Sequence, residues 1–353
     1  MEFRKLFSAL LLIGLLVNVS CSKDSETPIG GKEDVTPRTE SLTVTIAGTE
    51  GYEIGKPNVE TRALGTPTLT EENKIFGYSI YVFYANGSLE KVETVSGGTL
   101  TKTVTGLIAG AKKVVVLANI PTGYSTITHY DDFDGAMFSL DTQEPSNLAT
   151  TGLAMSGEKT ATLVAGSTNT VSVPIARIAA KIKLGGITIN AAPGHDPSKF
   201  ELVAVHIMKA QGGANKGLPT LKTSNVYYGG TAGTISTTTK SYLTESISTG
   251  NENCYFYVFP NDDADTHVTL FTIEGKYDGV TTYFAFRIND EVDTPGDGTG
   301  EFIKRNTVHT INVTLKKLDG GTSDPELPAD PTDMDVTIVP QDWTVIPNQN
   351  VEW

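Results

Sequence analysis

Two cysteines and five histidines are the side chains best suited to chemistry in this 353-residue chain, and their spacing argues against catalysis. His129, His195, His206, His267 and His309 are scattered, with no pair at metal-ligand spacing, and neither G-x-S-x-G nor H-E-x-x-H occurs. His309 alternates with apolar neighbours, the setting of a structural histidine. Asn261, Asp263 and Asp265 have the alternate spacing of a calcium loop's first ligands, but Thr266 stands where the turn glycine belongs and Thr272 where the bidentate Glu belongs. Asp131, Asp132 and Asp134, ahead of Gly135, read as a hydrogen-bonded turn. Gly296-Asp297-Gly298-Thr299-Gly300 lacks the preceding strand and following helix of a phosphate cradle and reads as a loop. Cys254, in Cys-Tyr-Phe-Tyr-Val-Phe, reads as a small buried hydrophobe. The expectation is a protein with no catalytic residues, no metal and no cofactor.

Cys21 has a different setting. Arg4 and Lys5 precede an apolar run, Leu6 to Val17, too short to span a bilayer comfortably, and the run ends at Asn18-Val19-Ser20-Cys21. A small residue before the cysteine resembles a bacterial lipobox, although Asn18 stands where Leu is usual. The layout predicts a signal peptide over residues 1–20 and acylation (palmitate) at Cys21, where several acyl chains anchor far better than one. Residues 22–37 are polar and read as a disordered tether.

The elements behind these residues read as strands. Leu42, Val44 and Ile46 share one phase, and Ile75 to Tyr84 is an apolar, aromatic run closing at the hairpin signal Asn86-Gly87. Further strands are predicted at 114–118, 170–178, 180–184, 202–207, 255–259, 268–273, 282–288 and 310–315, with glycine pairs between several of them. One short helix is predicted over 147–155. Many short strands divided by turns indicate β-sandwiches, and 353 residues suffice for two. A net charge of -14 repels phosphate backbones and argues against nucleic acid as a partner. Residues 319–335 are rich in Gly, Pro and Asp and read as a linker. Beyond them Val336, Ile338, Trp343, Val345, Ile346, Val351 and Trp353 form an apolar tail, predicted as two short strands with a kink at Pro340-Gln341.

Several segments resemble the fimbrillins of Bacteroidales, the subunits of type V pili. They are Glu72-Asn73-Lys74-Ile75 with Ile80-Tyr81-Val82-Phe83 and Asn86-Gly87-Ser88-Leu89; Leu153-Ala154-Met155-Ser156-Gly157; Ala176-Arg177-Ile178-Ala179-Ala180-Lys181-Ile182; Phe256-Tyr257-Val258-Phe259-Pro260-Asn261; and Lys304-Arg305-Asn306-Thr307-Val308-His309. The resemblance implies an all-β fold of two tandem transthyretin-like β-sandwich domains, with a lipoprotein leader and a strand-forming tail. It also implies an outer-membrane surface lipoprotein precursor and then an extracellular fimbrium supporting adhesion. An Arg-specific protease would remove the first strand, and another subunit's tail would fill the groove. On this chain the cut falls at Arg62-Ala63, in a Pro/Gly-flanked polar stretch. The implied divisions are 21–62 propeptide, 63–184 and 185–332 sandwich domains, and 333–353 donor tail. Val336, Ile338, Trp343, Val345, Val351 and Trp353 are the donor anchors. Partners are other copies of the chain, related pilus subunits, the protease and the membrane. The tail is expected to fold back as an edge strand in an isolated precursor, and deletion of 334–353 is expected to leave both domains folded. Alternatives are a tip or anchor subunit of the same pilus, or a non-polymerising glycan-binding lipoprotein using Tyr227, Tyr228 and Tyr242.

Overall fold

The computed structural model describes residues 39–343 except 48–52, 55–68, 98, 121–125, 144, 146–147, 149, 219–220, 224–226, 229–241, 250–253, 262–266 and 289–302. Cys21, Arg62, Ala63, Val345, Ile346, Val351 and Trp353 lie outside the described residues, as do Asp263 and Asp265 of the calcium-like spacing.

The N-terminal half folds as two facing sheets. One has three strands: β1 (Glu40–Ala47) lies in the middle, antiparallel to Thr101–Leu107 and parallel to Asn169–Pro174. The other runs, in spatial order, Ala176–Arg177, Met155–Leu163, Gly110–Ala118, Gly77–Tyr84 and Leu89–Ser96, all antiparallel. In chain order the main strands are β2 (Gly77–Tyr84), β3 (Leu89–Ser96), β4 (Thr101–Leu107), β5 (Gly110–Ala118), β6 (Met155–Leu163) and β7 (Asn169–Pro174). Leu42, Val44, Ile46, Ile80, Val82, Val104, Val114, Val116 and Val173 meet between the sheets. The opposite face of β2 and β5 presents Tyr81, Phe83, Val115 and Leu117 to the core shared with the C-terminal half. Burial on both faces explains why these strands read as unbroken apolar runs. At the β2–β3 turn Gly87 has φ +89°, and a Cβ there would meet the His129 ring at 2.5 Å.

The C-terminal half repeats the two-sheet plan. Its strands are β8 (Ala180–Ile189), β9 (Phe200–Met208), β10 (Tyr242–Ser246), β11 (Tyr255–Val258), β12 (Leu270–Tyr277), β13 (Val280–Arg287), β14 (Thr307–Leu315) and β15 (Met334–Asp342). One sheet has the order β11-β8-β14-β15, the other β10-β9-β12-β13. Ile182, Leu184, Val205, Ile207, Phe271, Ile273, Phe284, Ile311 and Val313 fill the space between them. The architecture is the expected all-β pair of sandwiches.

Two local expectations are corrected, the short helix and the linker, and the division between the sandwiches is placed more closely. The described residues of 147–155 are turns and extended backbone, and Met155 opens β6, so the short helix is absent there. The chain passes from the first pair of sheets to the second between Arg177 and Ala180, whereas Gly185 lies inside β8 at a register shift against β14. A Cβ at Gly185 would meet Asn312 Oδ1 at 2.4 Å, so this glycine serves close strand approach and not a boundary. The Gly/Pro/Asp-rich segment is no linker. Leu318 is fully buried, Thr322 exchanges both backbone hydrogen bonds with Tyr283 (2.8 and 2.9 Å), and Ala329 N donates to Ala285 O at 2.9 Å. It covers the open edge of β13, which would otherwise present unpaired backbone.

Candidate assembly interface

β1 is a local product of its alternation: Leu42, Val44 and Ile46 are buried to 2% exposure or less, while Thr43 and Thr45 face outward. Thr43 and Thr103 hydroxyls lie 3.1 Å apart and those of Thr45 and Thr101 3.2 Å apart, a cross-strand pairing with β4. Because β1 separates β4 from β7, those two strands do not pair with one another. Lifting β1 out would leave one strand-wide slot with two unpaired edges and an apolar floor including Val82, Val104, Val114 and Val173. A second piece of the same N-terminal segment, Glu53–Ile54, pairs in parallel with Lys74–Ile75.

The tail forms β15, antiparallel to β14 at the edge of its sheet, with Val336 opposite Val313 and Ile338 opposite Ile311. The strand runs unbroken through Pro340, which corrects the expected kink; proline is tolerated there because β15 is an edge strand. Met334 is buried, Val336 and Ile338 are half-buried, and Val339 to Asp342 are exposed. Trp343 is 2% exposed.

Trp343 sits in a polar cage that composition and periodicity do not reveal. Its indole Nε1 donates to Glu72 Oε2 at 3.1 Å, its backbone N to Asn306 O at 2.9 Å, and its carbonyl accepts from Arg177 Nη1 at 3.1 Å. The Arg177 guanidinium lies 4.4 Å from the indole ring, and the Tyr257 ring stacks on it at 5.7 Å and 10°. Glu72 also accepts from Lys181 Nζ at 2.6 Å and the Tyr257 hydroxyl at 2.8 Å. Arg177, fully buried, donates further to Glu72 O, to Asn306 Oδ1 and to the Asn73 side chain. Burial and the Glu72 carboxylate push the Tyr257 hydroxyl well above its ordinary range, which keeps it a donor. Beside the cage Arg305 donates to Ser156 O (3.2 Å), Ala176 O (2.7 Å) and Arg177 O (3.1 Å), closing the seam between the halves. Glu72, Asn73, Arg177, Lys181, Tyr257, Asn306 and Arg305 were legible only as members of the resemblance segments. Their convergence on one junction accounts for charged residues standing in otherwise apolar strands.

Several of the side chains considered for chemistry are accounted for by structural roles. Asp132 Oδ2 accepts from Thr128 N and His129 N, both at 2.8 Å, so that cluster builds its own turn. His206 lies between Thr244 and Glu274, each 3.0 Å away. Cys254 is buried, and desolvation pushes its thiol up to about 12. Among the described residues no three His, Cys, Asp or Glu side chains are grouped to hold a metal ion.

Comparison with known proteins identifies chains of the same fold. The fold is shared with a cell adhesion protein from Bacteroides eggerthii DSM 20697 (22% identity, TM-score 0.63, 87% of this chain and 96% of that one). It is also shared with a fimbrilin (fimA) from Porphyromonas gingivalis W83 (21% identity, TM-score 0.60, 86% and 98%) and a cell adhesion protein from Parabacteroides distasonis ATCC 8503 (20%, 0.61, 87% and 100%). No match is found among curated proteins. Residues 41–189 match the family model described as major fimbrial subunit protein (FimA). That match and the shared fold agree with the resemblance to the Bacteroidales fimbrillins.

Proposed function

We propose that the chain is the precursor of a polymerising fimbrial stalk subunit, lipidated at Cys21, cut at Arg62-Ala63 and assembled by strand exchange. The observation that carries this reading is the seat of β1: a buried, alternating middle strand whose removal opens one slot between β4 and β7. The chain holds a second strand of the same pattern. Leu42-Thr43-Val44-Thr45-Ile46 is matched by Met334-Asp335-Val336-Thr337-Ile338, so one face of the tail offers Met334, Val336 and Ile338 where β1 offers Leu42, Val44 and Ile46. Each such side chain contributes roughly 1.5–3 kcal/mol on burial, and the inserted backbone gains a ladder on both sides. The edge placement of β15 supports its use as a donor, since it leaves without splitting a sheet. A tail seated in the next copy's slot is a head-to-tail contact that does not close, and so builds a filament.

The test is electron microscopy of the purified precursor before and after cleavage by an Arg-specific protease, with N-terminal sequencing of the product. Filaments only after cleavage, from subunits beginning at Ala63, are expected. A processed subunit that stays monomeric at high concentration would defeat the reading.

A further inference from the structure

The side-chain grip on the tail is concentrated at its last described residue. Between Met334 and Trp343 no side chain of β15 is fully buried, while Trp343 is held through its indole N–H, its backbone N and O, and its ring. The group that receives the indole, Glu72, comes from the other end of the molecule. It closes the helical turn Leu69–Glu72 and is followed at once by Lys74–Ile75, the partner of Glu53–Ile54. Residues 53–54 belong to the segment ahead of Arg62. Asn119 holds the far side of this stretch, donating to Lys74 O at 2.7 Å and accepting from Phe76 N at 2.8 Å. A change upstream is thereby confined to Glu72, Asn73 and what hangs from them.

We infer that Trp343 and Glu72 form a latch that couples removal of the N-terminal segment to release of the tail. The inference rests on the reading that the residues up to Arg62 are removed. In the precursor the chain between Ile54 and Lys74 is tied at both ends, by the pairing of Glu53–Ile54 with Lys74–Ile75 and by the hold of the cage on Glu72. Removal of the segment takes that pairing away and turns residues 63–71 into a free end, which gains conformational freedom when Glu72 lets go. Glu72 then holds the indole less firmly, and the tail loses its strongest anchor in the same event that opens the slot. Coupling is reciprocal: a seated Trp343 steadies Glu72 and Asn73, and through them the pairing that keeps the N-terminal segment in place. The latch therefore blocks a subunit from donating its tail before it can accept one. Glu72 and Trp343 form the shared physical element, with closed and open arrangements that both ends bias.

The test uses the full precursor carrying Trp353→Phe, which leaves Trp343 as its sole tryptophan. Acrylamide quenching of Trp343 is measured before cleavage and again after cleavage and removal of the released fragment, at a concentration too dilute for assembly. Protection is expected in the precursor, with a shift on cleavage toward the quenching of the unfolded chain. Glu72→Gln in the uncut precursor should produce the same shift at unchanged circular dichroism. Should that variant not fold, Tyr257→Phe, which removes one hydroxyl from Glu72, should give a smaller shift in the same direction. Quenching that stays at the precursor value in the cleaved, fragment-free subunit would overturn the latch. Filament formation is scored separately. Filaments without a quenching change would sink the latch and spare the strand-exchange reading; a quenching change without filaments would do the reverse.

Discussion

Arg177 is fully buried yet carries a charge that Glu72, Asn73, Asn306 and the Trp343 carbonyl together satisfy. Removing one partner of such a group leaves the others desolvated, and Arg177→Met is expected to lower unfolding free energy by about 3–5 kcal/mol in urea titrations. Lys at this position keeps the charge but cannot reproduce the planar fork of donors, so it should recover only part of the loss. His309 gives a pH dependence. Burial, with a lesser push from Lys304, holds it down to about 4, against 6.5 in an unfolded chain. The unfolded state therefore takes up a proton between those values while the folded state does not. Stability is full above pH 6.5 and falls as pH drops toward 4, by about 3 kcal/mol from this group. Burial lowers His206 as well, in the same direction, although Glu274 opposes it. Urea midpoints at pH 7, 5.5 and 4.5 should show the loss, and His309→Phe should flatten the part due to His309. A profile flat from pH 7 to 4.5 in the parent protein would contradict both assignments.

At the scale of elements, β15 is less separable than its distance along the chain suggests. From the apparent linker at 319–335, both sandwiches would stay folded without residues 334–353. The buried seats of Met334 and Trp343, and the dependence of Glu72 and Arg177 on Trp343, revise that expectation. Deletion from Met334 should lower Tm by several degrees, since even 1 kcal/mol moves a domain of this size by about 2–4 °C. Deletion of 344–353 removes none of the contacts described for the tail and serves as the control. Trp343→Ala should cost about 3–5 kcal/mol in the monomer, measured by urea unfolding. An unchanged midpoint in that variant would mean that the indole is not caged in solution.

At the scale of the whole molecule, β1 and β15 share one pattern but have different kinds of seat. β1 is enclosed between two strands, whereas β15 lies on an edge with its apolar face half-covered. A charge placed at Val336 should therefore be tolerated better at home than in the slot β1 would vacate. Val336→Asp is expected to shift monomer Tm by only a few degrees while abolishing filaments after cleavage. Electron microscopy and thermal melts of the same sample check this together. Arg62→Ala should yield intact precursor and no filaments; normal filaments from it would place the processing site elsewhere.

Local periodicity was enough to locate β1, β2, β5, β9 and β14, because alternation or a closed apolar run is a property of neighbours in sequence. The lower-contrast strands β3, β4 and β6 escaped it: their Thr, Lys and Glu faces look outward, and in β4 only Val104 and Leu107 are buried. The sequence also determined the two-sandwich class and the repeat of Leu42-x-Val44-x-Ile46 in the tail. Composition misread 319–333, since Gly, Pro and Asp are used alike by a free linker and by turns hydrogen-bonded to a sheet edge. Only the tertiary structure decided that the tail is caged. Glu72, Arg177, Lys181, Tyr257, Asn306 and Trp343 come from distant parts of the chain, and each alone is an ordinary polar or aromatic residue. What makes them a site is that buried donors and acceptors must be paired, and which partners meet is set by how the strands stack in space, not by their order along the chain.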